Sequence, residues 1–323
     1  MRVIRYFVLG LLILVLLIFL VPLFVPLPAQ EGLLSPYELA DADSRFVEVN
    51  GIEIHYKISG TGEPALVFLH GFADSTFSWR KVTQPLTKER VVLAYDRPAF
   101  GLTERPMPGE WIGENPYSLT AQPDLLIGLL DTLGIKRAIL VGHSAGGAVA
   151  VQTALDYPQR VEALVLVAPA IIRTQRWLGL FQPLLYTPQM DRLGPWLARS
   201  IQWQEKQMVE IAWHDPSTVT NEDMEGYRKP LLVRNWERAL WEFSRAEQDT
   251  GLAERMDELK MPVMIIAGDD DRVIPTEQSI NLAKQIPGAQ LAVLPICGHV
   301  PQDEYPEAFL SAMQPFLKQL EVR

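Results

Sequence analysis

Most of the chain alternates between short apolar runs and longer segments of mixed polarity. Six apolar runs have the length and composition of strands that are buried on both faces. These runs are residues 65–69, 91–95, 138–141, 163–167, 263–267 and 291–294. Helix-length segments lie between most of them, at residues 119–133, 145–157, 276–286 and 306–320. Alternating strands and helices predict a mostly parallel sheet that is covered by helices on both faces.

An antiparallel hairpin is predicted ahead of this alternation. Apolar and polar residues alternate through residues 45–59, and Asn50-Gly51 separates the two alternating runs. Asn-Gly between such runs is the strongest short-range signal for a type I′ hairpin turn. The sheet is therefore expected to begin with two antiparallel strands.

No strand is predicted in the interval 171–260, which instead contains several amphipathic stretches. This interval holds six of the eight tryptophans of the chain, namely Trp177, Trp196, Trp203, Trp213, Trp236 and Trp241. The composition indicates a helical subdomain inserted between two strands of the sheet. Its aromatic rings fill the interior of that subdomain, line an apolar substrate cavity or contact a membrane interface, and these interpretations stay open.

A long apolar run lies near the N-terminus. Residues 6–27 contain 22 consecutive residues without a charge, which as a helix would extend for about 33 Å against a hydrocarbon core of roughly 30 Å. The pattern predicts an uncleaved transmembrane anchor over residues 1–27, followed by a linker at 28–44. A cleaved signal peptide is the alternative, but its apolar part is usually shorter and ends at small residues, whereas Leu27 is bulky.

The charges beside this run predict an orientation. Arg2 and Arg5 precede it, and only acidic residues follow before the next cation: Glu31, Glu38, Asp41 and Asp43. Because basic flanks prefer the cytoplasmic side, we expect a single-pass protein whose catalytic part lies outside the cytoplasm, in a periplasm or an equivalent compartment. Cleavage would instead give a secreted protein.

Composition excludes several classes of protein. The 323 residues include 29 basic and 39 acidic side chains, for a formal charge of −10, and 48% of the residues are hydrophobic. Such a chain can bury a core, which a disordered segment cannot do, and its acidity argues against nucleic acid as a partner. A single cysteine, Cys297, excludes an intramolecular disulfide and a cysteine-rich zinc site. Nothing in the sequence indicates an oligomeric state.

A G-x-S-x-G motif occupies residues 142–146, between an apolar run and a helix-length segment. A strand-to-helix turn that exposes a serine oxygen is too tight for side chains two positions away, so it requires small residues there. From amino-acid composition alone, the expected number of such motifs in a chain of this length is roughly 0.1. Its location indicates that Ser144 is a nucleophile. The alternative is a glycine-rich helix start that packs closely on the sheet.

A serine hydroxyl needs a base within hydrogen-bond reach, normally a histidine oriented by a carboxylate. Of the five histidines, His299 follows the last predicted strand, so it should lie at the carboxyl ends of the strands, as Ser144 does. His299 is therefore the predicted base. The others are His55, His70, His143 and His214. Cys297 lies two residues from this base, as either a buried pocket wall or a reactive thiol.

The orienting acid should also follow a strand. Asp269, Asp270 and Asp271 come directly after the run at 263–267, and the residues alone leave all three open. A run of aspartates is otherwise a solvated turn or a cation site. No second acidic cluster is spaced to complete a calcium loop, so we expect no metal.

From about residue 45 onward the chain resembles the α/β-hydrolase superfamily, in the serine-nucleophile branch with a helical lid. The motifs that carry the resemblance are His70-Gly71-Phe72, Asp96 to Gly101, Gly142 to Gly146, Gly268-x-x-Asp271-x-x-x-Pro275 and Gly298-His299. The order Ser, Asp, His along the chain is the order that this fold uses. Ala99 stands where the family frequently has glycine.

The resemblance implies further features. It selects Asp271 as the acid and assigns the oxyanion hole to the backbone N–H groups of Phe72 and Ala145. It implies an α/β-hydrolase fold with an eight-stranded, mostly parallel sheet, a core at 45–170 and 261–323, and a helical cap at 171–260. It implies neither a metal nor an organic cofactor.

These features predict a serine hydrolase that cleaves a carboxylic ester, apolar or lipid-like, through Ser144, His299 and Asp271. Hydrolysis of a carbon–carbon bond in a vinylogous diketone is the alternative within the family, because those enzymes share the serine turn and the lid. A non-catalytic, membrane-tethered binding protein is the alternative from another class. Amide, thioester and perhydrolase chemistry use the same residues and stay open.

Overall fold

The centre of the molecule is an eight-stranded sheet in the order β1-β2-β4-β3-β5-β6-β7-β8. A computed structural model describes residues 2–24, 26–171, 182–246, 248 and 250–321. The strands are β1 (Arg45–Val49), β2 (Ile52–Ser59), β3 (Ala65–Leu69), β4 (Val92–Tyr95), β5 (Ala138–His143), β6 (Val161–Val167), β7 (Val263–Gly268) and β8 (Gln290–Leu294).

Strand direction divides the sheet into two parts. β1 pairs with β2 and β2 with β4 in antiparallel fashion, and every pair from β4 to β8 is parallel. The expectation of a mostly parallel eight-stranded sheet behind an antiparallel hairpin is confirmed. In the parallel part the carboxyl ends align, so that Leu69 of β3 faces Gly142 of β5.

Helices cover both faces of the sheet. The α-helices of the described residues are α1 (Arg2–Phe24), α2 (Pro36–Leu39), α3 (Arg80–Leu86), α4 (Gln122–Thr132), α5 (Ala145–Asp156), α6 (Gln182–Leu185), α7 (Pro188–Ala198), α8 (Ser200–Trp203), α9 (Glu205–Ala212), α10 (Asn221–Arg228), α11 (Trp236–Arg245), α12 (Thr276–Gln285), α13 (Pro301–Glu304) and α14 (Pro306–Glu321). One core cluster joins the sheet to α4, α5 and α12, and a second joins it to α3 and α14.

The central strands are apolar at every position because they contribute to both clusters. Val67 and Leu69 of β3 lie in the cluster on the α4–α5 face, whereas Leu66 and Phe68 lie in the cluster on the α14 face. All four side chains are fully buried. Since successive strand residues point to opposite faces, an unbroken apolar run is what a strand covered on both sides requires.

The chain between β6 and β7 contains helices α6 to α11 and no strand among the described residues. We call residues 171–260 the cap, with the bounds predicted above. α11 packs Trp236 and Phe243 against Phe100 and Tyr117 of the loop after β4, and these four rings are buried. Burial of each such ring stabilises the contact by about 1.5–3 kcal/mol. Trp177 lies outside the described residues.

The prediction of a transmembrane anchor over residues 1–27 is wrong. A membrane crossing needs both length and continuous apolarity, and no helix within the described parts of the chain satisfies both requirements. α1 instead contacts α7 of the cap. The single-pass location with an extracytoplasmic catalytic part depended on that anchor and is wrong with it, as is the expected membrane attachment through this helix.

Residues 28–44, predicted as a linker, make specific contacts with the cap, and we call this segment the strap. Leu34 forms a parallel bridge to Val233, and Trp236 donates its indole N–H to Gln30 Oε1 at 2.9 Å. The Asp41 carboxylate pairs both with Lys57 of β2 and with Lys229 of the cap. The strap therefore joins the sheet to the cap.

Candidate active site

Ser144 occupies the turn between β5 and α5 in a backbone conformation that side chains rarely adopt. Its φ is 51° and its ψ is −120°. A Cβ atom at Gly142 would lie 2.6 Å from the Gly146 carbonyl oxygen, and one at Gly146 would lie 2.5 Å from the His70 carbonyl oxygen. Real Cβ atoms do not approach so closely. The glycines of the motif are therefore required by close backbone packing around a strained serine.

Backbone hydrogen bonds hold this turn against β6. The Ser144 N–H donates to Val167 O at 2.9 Å, and Ser144 O accepts from the N–H of Ala170 at 3.0 Å. The serine is buried, at 8% exposure, and borders a cavity of about 220 Å³. The strain is thus maintained by the surrounding sheet, which leaves the serine at the wall of a partly open cavity.

Asp271 and His299 form a hydrogen-bonded pair at the carboxyl ends of β7 and β8. Asp271 Oδ2 lies 2.8 Å from His299 Nδ1. Asp271 Oδ1 accepts the N–H groups of Val273 and Ile274 at 2.9 and 2.8 Å. The carboxylate is fully buried. These bonds hold both oxygens and orient the imidazole.

The two neighbouring aspartates have other partners. Asp269 accepts the N–H of Cys297 at 3.2 Å. Asp270 is partly exposed and pairs with Arg272 and with His214. Of the three carboxylates that the sequence left open, Asp271 is the one that contacts His299.

His299 is held by its backbone as well as by its ring. Its N–H donates to Ala212 O of the cap at 2.6 Å, and its carbonyl oxygen lies 2.9 Å from His143 Nε2. Because a carbonyl can only accept, His143 carries its proton on Nε2. Burial, assisted by the nearby His299, holds the pKa of His143 well below its usual value. His143 is thus a neutral donor that fixes the position of the His299 main chain.

This role of His143 was not predicted from the sequence, although its position next to Ser144 indicated that it lies in the site. The His143 and His299 rings lie 4.8 Å apart between centroids. Ser144 and the Asp271–His299 pair are thereby brought to the same edge of the sheet. Among the described residues, however, no hydrogen bond joins Ser144 Oγ to His299. In structures without substrate such bonds are often long, and they shorten in the reacting complex.

Phe72 and Ala145 border the same cavity as Ser144. Ala145 is the first residue of α5, and N–H groups in the first turn of a helix have no intrahelical partner. The Phe72 N–H donates to none of the described residues. Two backbone donors are therefore free at the wall of the cavity.

The walls of this cavity are mainly apolar. They comprise Phe72, Arg97, Leu119, Ser144, Ala145, Ala148, Val149, Ala170, Phe243, Gln248, Thr250 and Leu252. The cap tryptophans Trp213, Trp236 and Trp241 are buried but do not line it. Two phenylalanines, one from the core and one from the cap, provide the aromatic surface instead.

The Cys297 side chain is fully buried but does not line the Ser144 cavity, so the interpretation as a pocket wall is not supported. Burial raises the pKa of its thiol well above the usual value, so the thiol stays protonated at neutral pH. Since the thiolate is the reactive form, burial disfavours reaction at this cysteine. Within the described part of the chain, no three His, Cys, Asp or Glu side chains are arranged to hold a metal ion.

A larger groove of about 930 Å³ lies elsewhere, between β2, α3 and the end of α10. Beside it is a second serine–histidine–aspartate arrangement. His55 Nδ1 lies 2.6 Å from Asp96 Oδ2, and His55 Nε2 lies 2.8 Å from Ser44 Oγ. Ser44 Oγ also accepts the Asp41 N–H. This arrangement fastens the strap to the sheet.

Comparisons with known proteins agree with this fold. A family model described as alpha/beta hydrolase fold matches residues 64–306. A 2-hydroxy-6-oxononadienedioate/2-hydroxy-6-oxononatrienedioate hydrolase from Burkholderia vietnamiensis is 32% identical over 86% of this chain and 96% of its own.

Solved structures are similar over most of the chain. A meta-cleavage product hydrolase from Pseudomonas fluorescens is 26% identical, with a TM-score of 0.66 over 85% of this chain and 97% of its own. A thermophilic esterase from Thermogutta terrifontis, 23% identical, has a TM-score of 0.68 over 85% of this chain and 99% of its own, and it shows the fold alone. With the family model matching three quarters of its length, the chain belongs to the α/β-hydrolase fold family and is an enzyme of that family.

Proposed function

We propose that this enzyme is a serine hydrolase of apolar carboxylic esters, with Ser144 as nucleophile, His299 as general base and Asp271 as the orienting acid. One observation carries the proposal. The strained Ser144 borders an apolar cavity that it shares with two free backbone N–H groups, those of Phe72 and Ala145. A nucleophile beside unpaired donors at the wall of an apolar cavity suits attack on a carbonyl carbon.

In the first half of the reaction, Ser144 Oγ attacks the ester carbonyl and its proton passes to His299 Nε2. The negative charge that develops on the carbonyl oxygen accepts hydrogen bonds from Phe72 N–H and Ala145 N–H. Removal of one such donor typically costs about 10²–10³ in kcat. Asp271 stabilises the imidazolium through Nδ1. The imidazolium then protonates the departing alcohol, which leaves an acyl group on Ser144.

In the second half, water replaces the alcohol. His299 removes a proton from the water, whose oxygen attacks the acyl carbon, and the same two N–H groups stabilise the second tetrahedral intermediate. Its collapse returns the proton to Ser144 Oγ and releases the carboxylic acid. His143 keeps the His299 main chain in place throughout, because its Nε2–H donates to the His299 carbonyl.

The preference for an apolar substrate follows from the charges in the cavity. Among the described wall residues, Arg97 is the one charged side chain. Its Nε, Nη1 and Nη2 atoms all donate to protein oxygens, those of His70, Gln122 and Gly71. These bonds use three of the five N–H groups of Arg97, and with one buried cation among otherwise uncharged walls the cavity favours an apolar substrate.

A second candidate function is hydrolysis of a carbon–carbon bond in a 2-hydroxy-6-oxo-dienoate. The observation in its favour is the activity named for the Burkholderia vietnamiensis relative, which is 32% identical over almost its whole length. The same serine, histidine and free N–H groups would act on a ketone carbonyl.

Labelling with a fluorophosphonate tests the serine chemistry. We expect the wild type to react and Ser144→Ala to lose the label. Ser44→Ala is the matched control, since Ser44 also contacts a histidine that is paired with an aspartate, and it should label like the wild type. A folded wild type that does not react, or a label that depends on Ser44, contradicts the proposal.

Substrate assays separate the two candidates. The kcat/KM values of p-nitrophenyl esters from acetate to decanoate are compared with that of 2-hydroxy-6-oxo-6-phenylhexa-2,4-dienoate. An ester with a medium acyl chain should be the best substrate, because about 220 Å³ corresponds to roughly seven water volumes. A higher kcat/KM for the dienoate would replace the first proposal by the second.

A further inference from the structure

The peptide unit between Gly71 and Phe72 has two different surroundings at its two ends. Its N–H end, on Phe72, is free at the wall of the Ser144 cavity. Its carbonyl end, on Gly71, is buried and accepts two hydrogen bonds, from His70 Nδ1 at 2.8 Å and from Arg97 Nη2 at 2.9 Å. One peptide therefore connects a proposed oxyanion donor to a pair of fixed side-chain donors.

The protonation state of His70 follows from its contacts. Its Nε2 accepts the backbone N–H of Arg97 at 3.0 Å, so the proton must be on Nδ1, where it is donated to Gly71 O. Burial, together with the nearby Arg97 charge, lowers the pKa of His70 to about 3. His70 is thus a neutral donor with a single tautomer across the pH range in which a serine hydrolase works.

Arg97 holds two successive carbonyl groups of this loop. Its Nε donates to His70 O at 3.0 Å and its Nη2 to Gly71 O, while its Nη1 donates to Gln122 Oε1 at 2.9 Å. The guanidinium therefore binds two consecutive carbonyl groups at once. A lysine, which has a single side-chain nitrogen, cannot bind both in this way.

The charge of Arg97 is buried without an ion-pair partner. The residue is 1% exposed, and no carboxylate of the described residues lies within ion-pair distance of it. Burial lowers its pKa to about 10, so it stays charged at neutral pH. A buried charge without a carboxylate partner is costly, and the Phe100 ring, whose centroid lies 5.2 Å from the guanidinium carbon, offsets only part of this cost. Neutral donors could satisfy the same carbonyls. We therefore look for a function of this charge other than stabilisation of the fold.

We propose that Arg97 is a positioning residue that, together with His70, fixes and polarises the Gly71–Phe72 peptide so that the Phe72 N–H points at the oxyanion formed on Ser144. Donors at the carbonyl end of a peptide withdraw electron density and strengthen the hydrogen bond that its N–H donates. The inference rests on the proposed function of Ser144. It adds to the machinery of the reaction a buried guanidinium that acts through the Gly71–Phe72 peptide.

The test compares Arg97→Gln and Arg97→Lys with the wild type. Arg105→Gln is the matched control, because Arg105 is also buried and donates to the backbone carbonyls of Gly101 and Thr103, away from Phe72. Three quantities are measured: kcat and KM for the best p-nitrophenyl ester, the Ki of an alkyl trifluoromethyl ketone that forms a tetrahedral adduct on serine, and the chemical shift of the Phe72 amide.

For Arg97→Gln we expect kcat to fall by about 10–100-fold, somewhat less than the loss of an entire oxyanion donor. KM should stay within about twofold of the wild type, because the interaction strengthens in the transition state. The Ki of the trifluoromethyl ketone should rise by the same factor as kcat falls, and the Phe72 amide signal should move upfield. Arg97→Lys should recover part of the loss, and Arg105→Gln should keep the wild-type kcat.

Unchanged kcat and Ki in a folded Arg97→Gln protein would overturn the inference, as would an equal loss in Arg105→Gln. If Arg97→Gln does not fold, Arg97→Lys decides, because an ammonium can reach only one of the two carbonyls. A wild-type kcat and an unshifted Phe72 amide in that variant would overturn the inference. Fluorophosphonate labelling at Ser144 is scored first, so that failure of the serine-hydrolase proposal is distinguished from failure of the role of Arg97.

Discussion

The Asp271 carboxylate and the His299 imidazole lie 2.8 Å apart, joined from Oδ2 to Nδ1. We predict that Asp271→Asn lowers kcat/KM by about 10³–10⁴, since an amide removes the charge that stabilises the imidazolium and favours the wrong tautomer. The measurement is kcat/KM for the best ester, with the folded state checked by circular dichroism.

Asp270→Asn is the control for this variant, because Asp270 is partly exposed and pairs with Arg272 and His214 rather than with His299. Its kcat/KM should stay within about threefold of the wild type, as for most surface substitutions. Equal losses in the two variants would contradict the assignment of Asp271.

The crowding at Gly146 leads to a second prediction. In Gly146→Ala the new Cβ would lie 2.5 Å from the His70 carbonyl oxygen, so that the loop carrying His70 and Phe72 must move. We expect a loss of about 1–3 kcal/mol in the free energy of unfolding, as for other overpacked sites, and a slower reaction with fluorophosphonate. Urea unfolding and labelling rates measure the two effects.

Gly10→Ala provides the comparison, since Gly10 lies in α1 and a Cβ added there would have no neighbouring atom within 4 Å. It should be neutral or slightly stabilising, because alanine is the better helix former. A Gly146→Ala protein as stable and as reactive as Gly10→Ala would show that the turn is not crowded.

Asp74 should make stability depend on pH. Burial raises the pKa of its carboxyl from 3.8 to about 7. The folded chain therefore binds more protons than the unfolded chain between these values, so the Asp74 contribution to stability is present at low pH and is lost as the pH rises towards 7. Asp74→Asn, which keeps the acceptor for the Ser75 N–H, should remove this dependence.

We expect the free energy of unfolding of Asp74→Asn, relative to the wild type, to be higher at pH 8 than at pH 5 by ~2 kcal/mol, since one pKa unit corresponds to ~1.4 kcal/mol. Urea unfolding at the two pH values is the measurement. Asp43→Asn, at an exposed position, should show no such difference. A relative stability of Asp74→Asn that falls with rising pH would refute the assignment.

The Asp303 carboxylate should be far more costly to remove than an exposed ion-pairing carboxylate. It is fully buried, accepts both terminal nitrogens of Arg80 at 2.9 and 3.0 Å, and pairs with Lys81 at 2.6 Å. Asp303→Asn should lower the free energy of unfolding by about 1–3 kcal/mol, since it removes a buried charged acceptor while Arg80 and Lys81 are partly exposed and keep Asp223. The exposed pair of Asp43 and Lys57 should contribute under ~1 kcal/mol. Similar losses in Asp303→Asn and Asp43→Asn, measured by urea unfolding, would contradict this difference.

Local patterns were sufficient to predict the sheet. Each apolar run became a strand, and Leu66 to Leu69 illustrate why a strand between two layers of helices is apolar at every position. The expected burial on both faces is wrong for β8, because it lies at the edge of the sheet and leaves Leu291 and Val293 exposed. Asn50 has a φ of 53° and Gly51 a φ of 78°, which is the backbone that the Asn-Gly signal predicts for a hairpin turn. Spacing and chain order likewise brought Asp271 to His299. The roles of these side chains stay predictions.

Contacts between distant parts of the chain could not be predicted in this way. Nothing local to Arg97 indicates that its guanidinium meets the carbonyls of His70 and Gly71, since this requires the register of β3 against β4. The abundance of tryptophan left open whether the rings fill the subdomain or line a cavity, and Trp236 and Trp241 are buried without lining the Ser144 cavity. Apolarity at residues 6–27 was interpreted without knowledge of the contact between α1 and α7.

The position of Asp41 on the strap has a practical consequence. One carboxylate binds Lys57 on the sheet and Lys229 on the cap, so the cap cannot move away from the sheet on this side without separating an ion pair. A shortened chain that begins at Arg45 would lack this tether and the bridge from Leu34 to Val233. Acyl-chain preferences measured on such a truncation would describe a cap that is free on one side, so specificity must be measured on a chain that retains the strap.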